Sequence, residues 1–422
     1  MSKTLTYIFL GIYFFIYTVP QYIIDIYYVY DRVTIQFFLL SVINVIVFTS
    51  LLKSNSLNNI NFVFKENSHI LSFTFFIVFA SLSVFVAINK IESILVLSKF
   101  ITLLFTFLLI LKLSQNKKIN FLKFFLLFST IGIIMETLRV NYAIYDNVIN
   151  NGNFLMRSLE YRGFTGNPNI SSFSIVIKLP VIVFMTYVIT NTYKKLFLHA
   201  IISSSILSVL LLLSRAALIA VVLIFLSLLI YTFINRTRAN FINLSLFILA
   251  AYISFATYNL TNDKNTNDLL VDRFSTVTNS QADQSVNERA NFYKIAFTDI
   301  KNNPILGVGI GNWKLTSIQR ANKFLEGYRI PFRTHNDFLE VTAEVGIIGG
   351  LCFIYFIFFP FLFSFNKIRR GESFNAYHLI FLIVGVYILD SMLNFPMHRP
   401  VIINYLFFAF ALFHLNDKKL QL

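Results

Sequence analysis

Twelve apolar runs, most of them near the length a helix needs to cross a bilayer, leave this chain few alternatives as to what it becomes. A spanning helix takes ~20 mainly apolar residues. Such runs occupy 5–20, 33–52, 70–88, 94–113, 121–138, 170–190, 196–213, 216–234, 240–259, 341–364, 377–396 and 400–415. The first has only Lys3 ahead of it and no small-residue cleavage pattern, so it reads as a helix rather than a signal peptide. Of the 422 residues, 56% are hydrophobic and 13% charged, against roughly 25% charged in soluble domains. A water-soluble globule of this size has no means of hiding so much apolar surface. The same composition, with a single cysteine (Cys352, inside the tenth run), excludes disordered chains and disulfide scaffolds. The expected fold is an all-α polytopic membrane protein of about 12 helices. Residues 1–259 hold helices one to nine, 260–340 form a large hydrophilic loop, and 341–422 hold the last three helices and the C-terminus.

The net charge of +15 fits this reading. With the N-terminus inside the cell, every inner connection is basic, as the positive-inside rule asks: Lys53 and Lys65, Lys117 and Lys118, Lys194 and Lys195, Arg236 and Arg238, Lys367 to Arg370, Lys418 and Lys419. Both termini then lie in the cytoplasm. Nucleic acid is a poor partner for basic residues split among short connections. The two faces also differ in kind. Inner connections carry mostly lysine, whereas the outer ones apart from 260–340 carry Arg32, Arg139, Arg157, Arg162, Arg215 and Arg399, with Lys90 the one lysine. Topology does not distinguish the two residues, but bidentate binding of phosphate does, because the planar guanidinium offers a fork of donors. An outer anion site is one reading; arginines paired with lipid headgroups or nearby carboxylates is the other.

Within 260–340, the start is rich in Asn, Asp, Ser and Thr. A helical pattern then runs from Val286 to Asn302, with Ala290, Tyr293, Ala296, Phe297 and Ile300 on one face, Asn287 as N-cap and Pro304 as terminator. Gly307, Gly309 and Gly311 follow. They lack nucleotide-loop spacing and the P-loop lysine, and read as a packed turn. The segment closes with Arg320, Lys323, Arg329 and Arg333 leading into Thr334-His335-Asn336-Asp337 at the start of run ten. His335 stands apart from the other histidines because it lies between an arginine cluster and the membrane boundary. Arg162 opens a bent Arg-Gly-Phe-Thr-Gly-Asn-Pro-Asn stretch before run six. Ser214-Arg215 joins runs seven and eight, where a charge is costly unless it faces a wet cavity or a partner. Arg289 lies on the polar side of the loop helix. Asp390, in run eleven, neutralises an arginine or takes part in chemistry. Lys178 and Glu136 are embedded in apolar runs without an assigned role. No metal-ligand motif occurs, and neither a metal nor a cofactor is expected.

These residues resemble the O-antigen ligase family, which includes O-antigen polymerases and bacterial protein O-oligosaccharyltransferases. The resemblance rests on the large loop between helices nine and ten and on the ordered motifs. These are Arg-Gly-Phe-x-Gly-Asn-Pro-Asn, Ser214-Arg215, Glu288-Arg289, Pro304-Ile-Leu-Gly-Val-Gly-x-Gly, and His335 with Gly346 in Thr-His-Asn-Asp-Phe-Leu-Glu-Val-x-x-Glu-x-Gly. It implies a bacterial inner-membrane enzyme that transfers a glycan from undecaprenyl diphosphate to an acceptor on the periplasmic side. His335 takes the catalytic histidine position, and Arg215 and Arg289 take positions that hold the lipid diphosphate. Arg162, Arg333 and Arg399 join them by location, with Asp337 and Asp390 in support.

Residue chemistry agrees. Guanidinium groups stabilise charge on a leaving diphosphate, and an imidazole suits a base for the acceptor hydroxyl near neutral pH. Asp337, Glu340 or Glu344 could orient that imidazole. The acceptor stays open among a lipid A–core sugar, a second lipid-linked glycan and a protein, with the first preferred. A lipid-linked glycan flippase is the alternative from another class, although no inverted repeat is visible and the polar residues gather at one surface rather than mid-bilayer.

Overall fold

The computed structural model describes residues 1–16, 32–54, 68–151, 163–165, 167–261, 284–321, 332–369 and 374–415. All regular structure among them is helical. The α-helices are α1 (Lys3–Phe15), α2 (Arg32–Lys53), α3 (Ser68–Ser83), α4 (Lys90–Ser114), α5 (Phe121–Asn151), α6 (Pro168–Val176), α7 (Leu179–Val188) and α8 (Thr192–Leu211). They continue with α9 (Arg215–Asn235), α10 (Arg238–Thr261), α11 (Gln284–Asn302), α12 (Trp313–Ala321), α13 (Asp337–Ile368), α14 (Ala376–Leu393) and α15 (Pro400–Phe413). Short 3-10 turns cover Val84–Val86 and Pro396–His398. Among the described residues, ten helical stretches are long and apolar enough to cross a membrane, and α1 and α15 are shorter apolar helices. The chain is a multi-pass membrane protein.

Two compact units cut across chain order. The first comprises Met1–Ile119, Ser280–Phe363 and Asp390–Leu415, the second Asn120–Asn279, Ser364–Leu389 and Asn416–Leu422.

In the first unit, aromatic packing does much of the work. Phe73, Phe76, Phe107, Phe353 and Phe356 are fully buried. Phe73 stacks on Phe356 at 4.3 Å between centroids, and Phe107 meets Phe407 at 5.0 Å. Much of the phenylalanine therefore packs helix against helix instead of serving only as lipid-facing filler. Asn44 on α2 ties neighbouring helices together, accepting from Tyr13 Oη at 2.7 Å and donating to Thr106 Oγ1 at 3.0 Å. In apolar surroundings these polar groups find partners inside the protein because water is not there to supply them.

The glycine-rich stretch 304–312 is a packed turn, and it is spliced into a break in α13. Gly346 has φ 85° and ψ 174°, a conformation essentially restricted to glycine, and it interrupts the helical ladder. The interruption frees the carbonyls of Ala343 and Glu344. Val308 N donates to the first and Gly309 N to the second, each at 2.9 Å, while Ile347 N donates to Pro304 O at 2.8 Å. A Cβ on Gly346 would collide with the Ile305 carbonyl. The far side of the turn is tied to α3 and α4: Ile310 N donates to Ser83 Oγ at 3.0 Å, and Asn312 Nδ2 to Ser93 Oγ at 2.7 Å. Gly346→Ala should therefore cost on the order of 3 kcal/mol or more, from both strain and collision. The expected result is a clear fall in the melting temperature of the purified protein in detergent; an unchanged melting temperature would contradict the splice.

The loop helix departs from expectation in two ways. α11 begins at Gln284, so Asn287 lies inside it and does not cap it. Its buried face is Phe292, Ile295, Ala296 and Asp299, while Ala290 and Phe297 are exposed. The reason is a small core around Trp313 and Ala343 against which Phe292, Ile295 and Ala296 pack. Asp299 reaches Thr316 Oγ1 at 2.9 Å and Arg320 at 2.7 Å on α12. Apolar spacing alone does not show that an aspartate belongs to the inward face.

The second unit explains Lys178 and Glu136. The sixth apolar run is broken into α6 and α7 beside Pro180, and Lys178 stands at the break with its side chain buried. Its Nζ donates to Glu136 Oε2 at 3.1 Å and to the Ser174 carbonyl at 2.6 Å, and Ser174 Oγ donates to Glu136 Oε1 at 2.7 Å. A charge in hydrocarbon is tolerated when it is paired in this way.

Candidate functional site around His335

His335 precedes α13, whose N-cap is Asn336: its Oδ1 accepts from Leu339 N at 3.1 Å. His335 itself has φ 59°, in the left-handed region, which costs a non-glycine residue roughly 1–2 kcal/mol. Its neighbours impose that conformation. Thr334 Oγ1 donates to Asn336 O at 2.8 Å and accepts from Asn336 N at 3.0 Å. Tyr293 Oη, from α11, lies 3.4 Å from His335 O and 3.2 Å from Met392 O. Backbone strain held by surrounding structure is a feature of functional sites.

The His335 ring meets Phe395 edge-on at 5.2 Å, and the Arg399 guanidinium lies over the same Phe395 ring at 4.0 Å. Phe395 thus contacts both the imidazole and the guanidinium. Burial above all, then the charge of Arg289 and, more weakly, of Arg399, lowers the His335 pKa to about 4, against an upward pull from Glu340. The ring is neutral over the physiological range. Its Nδ1 is buried and makes no hydrogen bond, a state that costs about 1–3 kcal/mol for a polar group unless something else satisfies it.

The carboxylates expected to orient the imidazole are engaged elsewhere. Asp337 Oδ2 accepts from Met397 N at 2.9 Å. Glu344 Oε1 accepts from Trp313 N at 3.1 Å. Glu340 takes Arg333 Nη1 at 2.7 Å on one oxygen and Thr334 N at 2.9 Å on the other. Asp337 and Asp390 support the region in a different manner. Asp390 accepts from Asn394 Nδ2 at 2.8 Å, and the charges of both act on Arg399. Arg399 still ends at about 10, because burial outweighs those two carboxylates. Burial also works against the Arg333 charge, but Glu340 outweighs it and holds the guanidinium above its ordinary range. Among the described residues, no three His, Cys, Asp or Glu side chains are placed to hold a metal ion.

The first unit therefore contains His335, Arg289, Arg333 and Arg399 together with Asp337 and Asp390. Arg215 belongs to the second unit, and Arg162, Lys323 and Arg329 lie outside the described residues. Arg215 is the first residue of α9, following Leu213 with φ 50°, and Arg399 is the N-cap of α15. Both positions are electrostatically unfavourable for a cation, since the helix N-terminus already carries partial positive charge. Such a combination attracts anions strongly.

Sequence reasoning missed His398. It is buried, and its Nε2 lies 2.8 Å from Arg333 Nη1 and 3.1 Å from Glu340 Oε1. The available signal was its place beside Arg399, at the same end of the helices as His335. Tyr293 was seen only as part of an apolar face.

No curated protein matches the chain. Residues 200–354 match the family model described as O-antigen ligase. This stretch, which carries Arg215, Arg289, Arg333 and His335 and ends within α13, is similar to the O-antigen ligase family.

Proposed function

We propose that this protein is a glycosyltransferase of the bacterial inner membrane that moves an O-antigen-type glycan from undecaprenyl diphosphate to a lipid A–core sugar on the periplasmic face. The observation that carries the reading is His335: a strained, neutral imidazole with an unsatisfied buried nitrogen, under the influence of Arg289 and Arg399. In this reading the acceptor hydroxyl gives its proton to His335 as its oxygen attacks the anomeric carbon. The bond from that carbon to the diphosphate breaks on the opposite side, so the configuration inverts. Undecaprenyl diphosphate leaves with the electron pair, and Arg215, Arg289, Arg333 and Arg399, with Arg162, stabilise the charge it gains. The first approach of the donor would be favoured by the excess of arginine on this face. Twelve spans, with both termini in the cytoplasm and residues 260–340 in the periplasm, are the topology that goes with it.

The test is reconstitution of the purified protein with an undecaprenyl-diphosphate-linked glycan and three acceptors. Glycan on rough lipopolysaccharide is the expected result. Longer lipid-linked chains would make the protein a polymerase, and glycosylated protein an oligosaccharyltransferase. Translocation without covalent transfer would contradict the proposal.

The pH dependence follows from charge. In the empty site His335 holds its proton only below about 4, so kcat/KM, which reports the free enzyme, should fall as pH drops through that region. A bound diphosphate offsets the nearby arginines and raises the imidazole pKa. The acid limb of kcat should therefore lie at higher pH than that of kcat/KM. Coincident limbs would contradict the coupling between diphosphate and imidazole.

A further inference from the structure

His398, Arg333 and Glu340 form a buried triangle beside the strained turn at His335. The Arg333 Nη1 atom lies 2.7 Å from Glu340 Oε1 and 2.8 Å from His398 Nε2, and those two atoms are 3.1 Å apart. Nη1 has two hydrogens. Both find acceptors if His398 is the neutral ring with its proton on Nδ1, so that the Nε2 lone pair faces the arginine. The other neutral tautomer, with its proton on Nε2, would donate to Glu340 Oε1 at 3.1 Å but set that N–H against Arg333 Nη1 at 2.8 Å, and the imidazolium would add a second cation there. Burial, with Arg333 and then Lys99 adding to it against the pull of Glu340, keeps His398 down at about 4, in agreement with the neutral form. Glu340 is engaged on both oxygens, since its second oxygen accepts from Thr334 N at 2.9 Å.

We propose that His398 is a positioning residue: with Glu340 it fixes Nη1 of Arg333, so that the Nε–Nη2 edge of the guanidinium is presented to the diphosphate of the lipid-linked donor. The inference rests on the reading of this site as one that binds a diphosphate lipid. It adds the reason why Arg333, already paired with a carboxylate, still serves an anion. A guanidinium has two usable donor edges, and the clamp commits one nitrogen while leaving a side-on fork that matches two phosphate oxygens. The clamp also links the arginine to the base. Thr334, which Glu340 holds through its N–H, is the residue whose hydroxyl imposes the left-handed turn on His335. The Pro396–His398 turn is itself tied to α13, since Met397 N, next to His398, donates to Asp337 Oδ2 at 2.9 Å.

The experiment measures binding of undecaprenyl diphosphate and of undecaprenyl monophosphate to the full-length protein in nanodiscs. His398→Leu removes the acceptor, whereas His398→Gln restores one close to the position of Nε2. Leu should weaken undecaprenyl diphosphate binding about tenfold, the usual size of a lost hydrogen bond to a charged group. It should reduce the preference for diphosphate over monophosphate, and Gln should recover most of both. In the transfer assay the donor KM should rise more than kcat falls. Wild-type affinity in the Leu variant, or a loss that Gln does not recover, would overturn the positioning role while leaving the site reading intact. A wild-type protein without preference for the diphosphate lipid would overturn both. Melting temperatures of the two variants separate a fold defect from a binding defect, because a purely structural role predicts equal weakening toward both lipids.

Discussion

Replacing His335 with asparagine should lower the rate of glycan transfer by roughly two to four orders of magnitude, the range expected when a general base is removed. Asparagine is the informative substitution because it tolerates the left-handed backbone found at this position (φ 59°) and offers no nitrogen basic enough to take a proton. Alanine should give the same loss of activity at a greater cost in local stability. Neither change should prevent insertion, since the residue lies ahead of α13 and not in its apolar body. Donor binding should be little altered, because the arginines proposed to hold the diphosphate stay in place. The measurement is transfer to rough lipopolysaccharide by equal amounts of purified protein. A variant that transfers at the wild-type rate would contradict the base role.

The second large effect is expected at the arginines. Arg289→Lys and Arg215→Lys both keep the charge and lose the fork, and each should reduce kcat/KM by about a hundredfold, near the ~3 kcal/mol attached to one preorganised donor of transition-state charge. For Arg289 there is a further consequence. Its charge acts on His335, so its removal in Arg289→Gln should also move the acid limb of kcat/KM to higher pH, as a depressed imidazole returns toward its ordinary range. For Arg215 the argument is its place at the first position of α9, where the helix N-terminus disfavours a cation and favours a bound anion. Full activity in both lysine variants would contradict bidentate phosphate binding.

What could be read in the residues alone was set by burial at its simplest. Among the described residues the apolar runs form ten helical stretches of spanning length and two shorter apolar helices, because in hydrocarbon the backbone has no better way to satisfy its own hydrogen bonds. His335, Arg333 and Arg399 were singled out at the ends of those runs and Arg289 on the polar side of the loop helix, and the four fall within one compact unit. The misreadings concern polar groups that act inside a packed interface. Asp299 and Trp313 reorient α11, so its buried face differs from the one its apolar spacing describes. Gly346 looks like an ordinary small residue in a helix until the 304–312 turn is seen to donate its hydrogen bonds into the break. Glu340 read as a possible partner of His335, but it serves Arg333 and Thr334. His398 carried no motif, and only the return of the chain after α14 brings it to Arg333.

The central claim is that an imidazole and guanidinium groups together move a glycan off a lipid diphosphate. It is tested most directly by mass spectrometry of a reconstituted reaction, counting glycan attached to acceptor and undecaprenyl diphosphate released, for wild type and His335→Asn. One undecaprenyl diphosphate should be released for each glycan transferred, no glycan should be transferred from the corresponding monophosphate-linked donor, and both products should be lost in the variant. Equal use of the monophosphate donor, or undiminished transfer by His335→Asn, would contradict it.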